Sequence, residues 1–435
     1  MVAHKKQSGS SVAIVSGART PMVKMGGPLQ PMHVTELARV VMQEALYRVD
    51  FPAQRVHEVV LGNVVMPADA ANPARVAAMR AGLPRHIPAL TVQRNCASGM
   101  EAVAEAMMRI RTGSAQVVLA GGAESMSNIP LLFPDEALGP MARLARARSL
   151  TQKLGAIFAL RPRHFAPRSG LVLGLTDPLC NMIMGKTAEV LAHEFGLSRR
   201  EQDTFAMHSH HKAVAAAESG RFADQIVPVY AGKRCEAVAE DIGPRPGQTL
   251  EALGKLRPLF DRKDGTVTVG NACQVTDGAA ALLVADAELA RSEGLEVQAT
   301  IRGYAAAGLD PHRMGLGPVY AMDKLLQEQG LALSDIGLFE INEAFAAQVL
   351  ACLKAMGSDT FARKELGRSS AVGELDPEKL NVNGGAVALG HPVGATGARM
   401  VLNLVTEMKQ RDVQFAVASL CVAGGQGAAI LLERS

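Results

Sequence analysis

Apolar and polar positions along this 435-residue chain alternate between two periods. Short runs rich in branched apolar residues, typical of strands, are followed by longer segments with an apolar residue every third or fourth position, typical of helices. In the first part of the chain this pattern predicts strand, helix, strand, helix and strand at 12–16, 34–48, 58–65, 99–112 and 116–121. Such alternation predicts an α/β fold in which helices cover a sheet.

The last part of the chain repeats this rhythm. Strands are predicted at 300–304, 336–341 and 414–420, and helices at 319–329, 344–356 and 394–409. Residues 116–125 read QVVLAGGAES and residues 414–427 read QFAVASLCVAGGQG, so both are apolar strands that run into paired glycines. Internal similarity of this kind predicts two similar α/β halves.

The stretch between the two parts differs, because it has many prolines, helical patterns and little strand alternation. Strand signals return at 266–269 and 280–285 and are expected to complete the first sheet. The predicted domains are therefore an N-terminal half at 1–128 completed by 262–294, an inserted loop domain at 129–261 and a C-terminal half at 295–435.

Residues 141–168 of the insert interleave basic and apolar side chains. A helix with this spacing would carry one basic and one apolar face. An ordinary surface helix fits the pattern, and so does docking to a partner subunit or peripheral contact with an anionic membrane surface. The basic residues are Arg143, Arg146, Arg148, Lys153, Arg161, Arg163 and Arg168, and the apolar ones are Leu144, Leu150, Leu154, Ile157 and Phe158.

Composition narrows the class of protein. A chain that is 48% hydrophobic and 20% charged can bury a sizeable core, and 45 basic against 42 acidic residues do not indicate a nucleic-acid surface. No apolar run is long enough to span a membrane and residues 1–16 do not resemble a secretory leader, so we expect a cytoplasmic protein. The absence of G-x-G-x-x-G disfavours a dinucleotide-binding oxidoreductase.

Cys96 is the first candidate catalytic residue. It lies in the sequence RNCASGM, directly before the helix predicted at 99–112. The positive end of a helix lowers the pKa of a nearby thiol from about 8.5 to about 3.5–7.5, which makes it a better nucleophile. A buried structural cysteine is the ordinary alternative. The six cysteines show no C-x-x-C spacing and are expected to be free thiols.

Three further residues lie in sequences that expose backbone or side chain to a ligand. His391 lies in the glycine-rich stretch 383–397, NGGAVALGHPVGATG, which permits close backbone approach. Cys421 lies between a strand and VAGGQG, a turn whose amides are free to bind an oxygen. Asn342 follows a strand and can orient a water or donate to an oxyanion, although a helix cap is an equal alternative.

These four sequence motifs, in this order, resemble the thiolase family, and the resemblance spans nearly the whole chain. It implies the thiolase fold, in which two similar α/β halves form a five-layered αβαβα arrangement with an inserted loop domain. It also implies an acyltransferase that cleaves 3-oxoacyl-CoA with coenzyme A, reversibly. Coenzyme A would be a co-substrate, with no bound cofactor and no metal.

The resemblance also implies roles for individual residues. Cys96 would form the acyl-enzyme, His391 would activate it, and Cys421 would exchange the proton at the substrate α-carbon. One oxyanion hole would consist of His391 and a water held by Asn342, and a second of the backbone amides of Cys96 and Ala423. The walls of the coenzyme A and acyl pocket would be Leu175, Met184, Phe260, Met314, Ala344 and Phe345.

The length and the basic insert resemble degradative 3-ketoacyl-CoA thiolases, the β-subunits of fatty-acid oxidation complexes. This implies a homodimer or homotetramer, with a hydratase/3-hydroxyacyl-CoA dehydrogenase α-subunit as a candidate partner. Asn342 replaces the histidine usual in those β-subunits, so an acetyl-CoA C-acetyltransferase remains an alternative. A non-catalytic acyl-CoA or lipid-binding relative and a redox or metal protein using Cys96 and Cys421 are more remote. Three histidines, His208, His210 and His211, are interpreted as part of a solvated helix rather than a metal site.

Overall fold

The computed structural model describes residues 10–435. The prediction that residues 1–16 are not a secretory leader therefore falls partly on residues outside the described part. The strands are β1 (Val12–Arg19), β2 (Val23–Lys24), β3 (Glu58–Gly62), β4 (Ala89–Val92), β5 (Val117–Ser125), β6 (Leu131–Leu132), β7 (Arg168–Ser169), β8 (Val229–Ala231), β9 (Glu236–Val238), β10 (Thr276–Asp286), β11 (Ala299–Gly308), β12 (Leu338–Ile341), β13 (Phe415–Val422) and β14 (Gln426–Glu433).

The α-helices alternate with these strands in both parts of the chain. They are α1 (Val34–Tyr47), α2 (Pro73–Arg80), α3 (Ser98–Arg111), α4 (Leu138–Arg146), α5 (Leu150–Ala159), α6 (Gly170–Gly174), α7 (Met184–Glu194), α8 (Arg199–Glu218), α9 (Leu250–Gly254), α10 (Ala287–Ser292), α11 (Gly317–Gln329), α12 (Ala346–Met356), α13 (Asp359–Glu365), α14 (Ala386–Leu389) and α15 (Thr396–Arg411).

Ten strands form one continuous sheet that has an internal repeat. Its order is β12-β13-β14-β11-β1-β10-β5-β3-β4, with β2 also paired to β10. In the first half β3 runs parallel to β5, while β5, β10 and β1 pair antiparallel. In the second half β12 runs parallel to β13, while β13, β14 and β11 pair antiparallel. The predicted pair of similar halves is therefore confirmed, and the halves join where β1 pairs with β11.

Helices and sheet form five layers because each strand presents alternate side chains to opposite faces. Val118 packs among the middle helices α3 and α15, whereas its neighbour Leu119 packs under α1 and α2. In the second half Ala418 faces the middle layer and Val417 faces α11 and α12. The order α1/α2, sheet, α3/α15, sheet, α11/α12 confirms the predicted αβαβα arrangement.

The strand predicted at 266–269 is wrong. The backbone amides of Thr266 and Val267 donate to the Glu189 carboxylate, and the amide of Thr268 donates to the side chain of Asn271. Side-chain acceptors thus replace the partner strand that the apolar alternation suggested. The signal at 280–285 corresponds to β10, which lies between β1 and β5. The domain boundaries at 128, 261 and 294 stay predictions.

The single amphipathic helix expected over 141–168 is also wrong, because the segment forms two helices, α4 and α5. Ser149 accepts a hydrogen bond from the backbone of Gln152, whose side chain accepts from the backbone of Ser149 in return. This capping box starts a new helix and separates it from α4. None of the helices within residues 10–435 is long and apolar enough to cross a membrane, and location in the cytoplasm stays a prediction.

Candidate active site

Cys96, His391 and Cys421 come from three distant parts of the chain and line one cavity of about 420 Å³. Cys96 follows β4 and immediately precedes α3, Cys421 lies near the end of β13, and His391 lies in the loop before α15. The three reactive side chains therefore share one site, and each is positioned by the end of a regular element.

The turn that presents Cys96 is held by side-chain hydrogen bonds. Asn95 has a φ of 41°, a left-handed conformation that asparagine tolerates better than most residues. The Ser98 hydroxyl accepts from the Arg94 amide at 2.9 Å and donates to the Asn95 carbonyl at 2.7 Å. The Asn95 side chain donates to the Ala423 carbonyl at 3.0 Å, which joins this turn to the Cys421 turn.

The expectation of a lowered pKa for Cys96 is wrong. Burial raises the pKa of the Cys96 thiol, and the backbone amides of Ala423 and Cys96, which point at the sulfur, only partly offset this. Loss of water around the thiolate therefore outweighs the favourable helix end. Cys96 is a protonated thiol in the resting site, so it needs a base. The two amides at its sulfur are the pair that the resemblance assigns to an oxyanion hole.

His391 is fixed through its backbone and through one ring nitrogen. Its amide lies 3.1 Å from the Gln274 carbonyl and 3.2 Å from the Thr276 hydroxyl. Gly390 before it has a φ of 97°, and a Cβ there would overlap the Thr276 side chain, so glycine is required. Burial, with a smaller contribution from Arg399, lowers the pKa of His391 to about 3, so the imidazole is neutral.

The hydrogen bonds around His391 indicate which ring nitrogen keeps a free lone pair. Nδ1 lies 2.7 Å from the Thr396 hydroxyl, which also lies 3.0 Å from the Pro392 carbonyl. If the hydroxyl proton goes to that carbonyl, Nδ1 must donate to Thr396, and Nε2 keeps its lone pair. The Asn342 amide nitrogen lies 3.5 Å from Nε2, at the limit of a hydrogen bond, and agrees with this tautomer.

Asn342 is almost fully buried, and its Oδ1 has no hydrogen-bond partner among residues 10–435. A buried amide oxygen without a donor is costly, so a donor such as water is expected there. This is the arrangement that the predicted water-based oxyanion hole requires. Asn342 does not itself line the cavity but lies behind His391.

The loop after His391 packs directly on the elements that carry Cys96. A Cβ at Gly122 of β5 would overlap the Gly394 carbonyl, and a Cβ at Gly99 of α3 would lie 2.7 Å from the same oxygen. Buried Glu124 accepts from the amides of Gly394 and Val64, both at 3.0 Å. Burial raises the pKa of Glu124 to about 7 despite these donors. Close backbone contact at these glycines thus sets the spacing between the loop that carries His391 and the elements around Cys96.

Cys421 is buried, and its turn is fastened to the inserted segment. The Gly424 amide donates to Asp177 at 2.8 Å, and the same carboxylate accepts from the Leu179 amide at 2.8 Å. Burial and the neighbouring sulfurs, that of Cys96 foremost, raise the pKa of the Cys421 thiol well above its usual range. A neutral thiol at this position can donate a proton to a carbanion.

Five of the six predicted pocket walls lie where they were expected, and one does not. Phe260 does not line the cavity; its ring packs edge-on against Phe345 at 6.1 Å between centroids and fills the space beside Gly185. Phe260 thus contacts Phe345, which lines this cavity, rather than the cavity itself. The five residues that line the cavity are Leu175, Met184, Met314, Ala344 and Phe345.

Four residues that shape this site were not selected from the sequence, namely Asn95, Glu124, Asp177 and Thr396. Each acts by a hydrogen bond to a segment that is distant in sequence or to a ring whose position is set elsewhere. Asn95 and Thr396 lie in the motifs around Cys96 and His391, and Glu124 lies in the repeated stretch 116–125, which were the available signals. All six cysteines are free, as predicted.

The interpretation of the three histidines needs one correction, because His210 is buried rather than solvated. It accepts from the Arg245 amide, while His211 bonds to the Gln248 carbonyl at 2.8 Å. Burial, together with Arg245 and His211, lowers the pKa of His210 to about 4. Within the described part of the chain no group of three or more histidine, cysteine or acidic side chains is arranged to hold a metal ion.

Comparison with known proteins agrees with this geometry. Residues 12–288 match the thiolase N-terminal domain and residues 295–434 match the thiolase C-terminal domain. An acetyl-CoA acetyltransferase of Pseudomonas aeruginosa is 41% identical over 97% of this chain and 99% of its own, and a 3-ketoacyl-CoA thiolase of Yersinia enterocolitica is 38% identical over 98% of each. Human mitochondrial 3-ketoacyl-CoA thiolase in complex with CoA superposes with a TM-score of 0.83 at 35% identity, over 98% of both chains. This chain belongs to the thiolase family.

Proposed function

We propose that this thiolase cleaves 3-oxoacyl-CoA with coenzyme A, giving acetyl-CoA and an acyl-CoA shortened by two carbons, through an acyl-enzyme on Cys96. The observation that carries the proposal is the shared cavity, in which a neutral imidazole lies with two protonated thiols. One thiol needs a base to become a nucleophile, and the other can serve as an acid.

The first step follows from the positions of these groups. Nε2 of His391 takes the proton of Cys96, and the sulfur attacks the 3-oxo carbon. The alkoxide then forms beside the amides of Cys96 and Ala423, which already point at the sulfur. Donors that are fixed before the charge develops typically stabilise such a transition state by about 3 to 4 kcal/mol each.

The second step breaks the bond between carbons 2 and 3 of the substrate. The departing acetyl-CoA enolate places its thioester oxygen towards His391, now protonated, and the water expected at Asn342, while Cys421 gives its proton to carbon 2. Coenzyme A then enters, loses its thiol proton to the Cys421 thiolate and takes the acyl group from Cys96. The Cys96 thiolate that is released regains its proton from His391. Protons and the acyl group are thus conserved over the cycle.

The apolar walls of the cavity favour substrates with a sizeable acyl chain. Beyond the predicted set, the cavity is lined by Val64, Val65, Met126, Ile129 and Leu171. A two-carbon acyl group has little apolar surface to bury against such walls. Each buried methylene of a longer chain, by contrast, contributes about 0.8 kcal/mol, which is close to fourfold in kcat/KM. We therefore favour the degradative 3-ketoacyl-CoA thiolase activity.

The test is a panel of 3-oxoacyl-CoA esters from C4 to C16, followed as loss of the enolate absorbance. We expect kcat/KM to rise with chain length. Leu171→Asp should lower activity on C16 far more than on C4, while Val172→Asp, a half-exposed neighbour on α6 that does not line the cavity, should leave the profile unchanged. Activity confined to acetoacetyl-CoA would contradict the degradative assignment.

That outcome would support the second candidate, an acetyl-CoA C-acetyltransferase making acetoacetyl-CoA. Two observations favour it: a curated relative with 41% identity carries that name, and Asn342 is the residue the shorter enzymes share. The same panel decides between the two candidates, because only the acetyltransferase would reach its highest kcat/KM at C4.

Assembly is part of the proposal. We propose a homodimer or homotetramer, and a hydratase/3-hydroxyacyl-CoA dehydrogenase α-subunit as a partner. Light scattering on the purified chain measures the first, and co-purification from the native source tests the second. A chain that elutes alone as a homo-oligomer from the native source would count against the α-subunit.

A further inference from the structure

Residues 130–170 form an excursion that is closed at its base. Leu131 pairs with Ser169 and Leu132 with Arg168 in the β6–β7 ladder, and the Gly170 amide donates to the Pro130 carbonyl at 3.2 Å. Between the two strands of this ladder the chain forms α4, α5 and two short 3-10 turns. We call residues 138–163, which contain α4 and α5, the helical hairpin.

The helical hairpin is exposed on nearly all sides. Within it only Pro140 and Ala156 are buried. Helix α5 nevertheless carries apolar side chains at the spacing i, i+4, i+7 and i+8, which forms a single stripe. Ala156 lies on the opposite side of α5 by helical geometry, so the stripe lies on the face of α5 that is turned away from its buried side. The exposed stripe consists of Leu150, Leu154, Ile157 and Phe158, which are 73%, 46%, 50% and 82% exposed.

The charge of the chain is concentrated at the same place. Residues 137–176 contain seven lysines and arginines and no aspartate or glutamate, whereas the rest of the chain has 38 basic and 42 acidic residues. Arg168 pairs with Asp135 at 3.3 Å. The other six cations have no carboxylate within 4.0 Å anywhere in residues 10–435; they are Arg143, Arg146, Arg148, Lys153, Arg161 and Arg163.

We propose that the helical hairpin docks on an anionic lipid surface, with the α5 stripe entering the headgroup boundary and the six free cations against the lipid phosphates. An apolar stripe flanked by lysine and arginine is the composition that binds an interface rather than spanning it. A bilayer requires no matching shape, which suits two short helices exposed on all sides. The unpaired cations supply the charge complementarity, since anionic lipids attract each basic residue near the surface.

The position of the helical hairpin relative to the active-site cavity gives the docking a use. Helix α6 follows β7 directly, and its Leu171 lines the cavity while Val172 on the same helix is 53% exposed. When the hairpin binds lipid, α6, which supplies one wall of the cavity, therefore lies close to the lipid surface. Amphiphilic acyl thioesters partition into such a surface.

The test is co-sedimentation of the full chain with phosphatidylglycerol vesicles and with phosphatidylcholine vesicles at 0.1 M salt. We expect binding to the anionic vesicles only, and its loss at 1 M salt, where screening is much shorter in range. Each basic residue near the surface contributes about fivefold to partitioning, so the triple change Arg143→Ala, Arg146→Ala and Arg148→Ala should weaken binding on the order of 100-fold. Arg234→Ala, in an 88% exposed side chain outside the hairpin, is the charge control.

Phe158→Ser tests the apolar stripe, with Tyr47→Ser, 81% exposed on α1, as the matched control. We expect Phe158→Ser to weaken vesicle binding and Tyr47→Ser to leave it unchanged, with circular dichroism verifying that both variants fold. Failure of the unmodified chain to bind phosphatidylglycerol vesicles would overturn the proposal. So would hairpin variants that keep vesicle binding but change the mass measured by light scattering, because the hairpin would then join copies of this chain.

Discussion

Replacing Thr396 with valine removes one oxygen from behind His391 while keeping the side-chain volume close to that of threonine. The hydroxyl lies 2.7 Å from Nδ1, and both side chains are buried. Without it, an imidazole that carries its proton on Nδ1 has a buried donor with no acceptor. The other tautomer, with the proton on Nε2, avoids this cost but cannot take the proton of Cys96.

The size of the effect follows from that unsatisfied donor. Leaving a buried hydrogen-bonding group without a partner costs about 1–3 kcal/mol. The active tautomer is disfavoured by this amount, so acylation of Cys96 should slow by about 5- to 150-fold. Thr396 does not line the cavity, so KM should change little and the loss should fall on kcat.

The assay is single-turnover acylation in a rapid-mixing instrument, with 3-oxoacyl-CoA consumption followed by enolate absorbance. Thr396→Ser is the matched variant, because it keeps the hydroxyl and loses only a methyl group. It should acylate at close to the rate of the unmodified enzyme. Thermal melting of both variants separates a positional effect on the imidazole from loss of the fold.

Three results would refute the reasoning. Acylation of Thr396→Val at an unchanged rate would show that the hydroxyl does not set the tautomer. Equal slowing of Thr396→Ser and Thr396→Val would show that the methyl group, and hence packing, is what matters. A rise in KM with unchanged kcat would also contradict the assignment, since Thr396 would then act on binding.

Three further predictions concern the same site. Incubation with acyl-CoA should add the mass of one acyl group to the unmodified enzyme and to Cys421→Ala, but not to Cys96→Ala. Cys421→Ala should nevertheless turn over about 10²- to 10⁴-fold more slowly than the unmodified enzyme. Gly122→Ala should lower the melting temperature, because the new Cβ would overlap a backbone carbonyl. Gly155→Ala is the control: on the exposed helix α5 its Cβ would have no atom within 4 Å, so the change should raise stability by about 0.5–1 kcal/mol. Because burial lowers the folded pKa of His391 to about 3 while an unfolded histidine titrates near 6.5, the unfolded chain binds one more proton between these values. Stability should therefore fall as pH drops below about 6.5, and the melting temperature of His391→Asn should depend less steeply on pH.

The lipid contact and the enzymatic assignment are separable. Vesicle binding is measured without substrate, and the chain-length panel is measured without vesicles, so either can fail alone. If both hold, a thiolase that takes long acyl chains would work next to the surface where such chains concentrate.

Local sequence was sufficient for the main strands of both halves and for the choice of candidate catalytic residues. β5 and β13 were predicted because apolar strands running into paired glycines have a strong local signal, and both lie at equivalent places in the two halves. Cys96, His391 and Cys421 were selected because of the sequence next to each of them. A helix follows Cys96, and the glycines around His391 and Cys421 allow the backbone to approach or bind a ligand.

Where a side chain took up backbone groups that the periodicity had assigned to a continuous helix or to a strand, the periodicity was misleading. The capping residue Ser149 divided a helix that periodicity had made continuous, and the Glu189 carboxylate took the amides that would have paired in a strand at 266–269. In both segments a single competing side chain decided the local structure.

The sequence by itself determined the α/β halves and the family, and it led to the prediction of Cys96 as the nucleophile and His391 as its base. Tertiary structure alone decided their protonation, because desolvation depends on how much protein surrounds a group and not on its neighbours in sequence. Cys96 at a helix start was expected to be acidic, yet burial keeps it protonated, and burial also makes His391 a neutral base. The residues that orient this pair, Thr396 and Asn95 among them, act through contacts that exist only once the two halves have folded together.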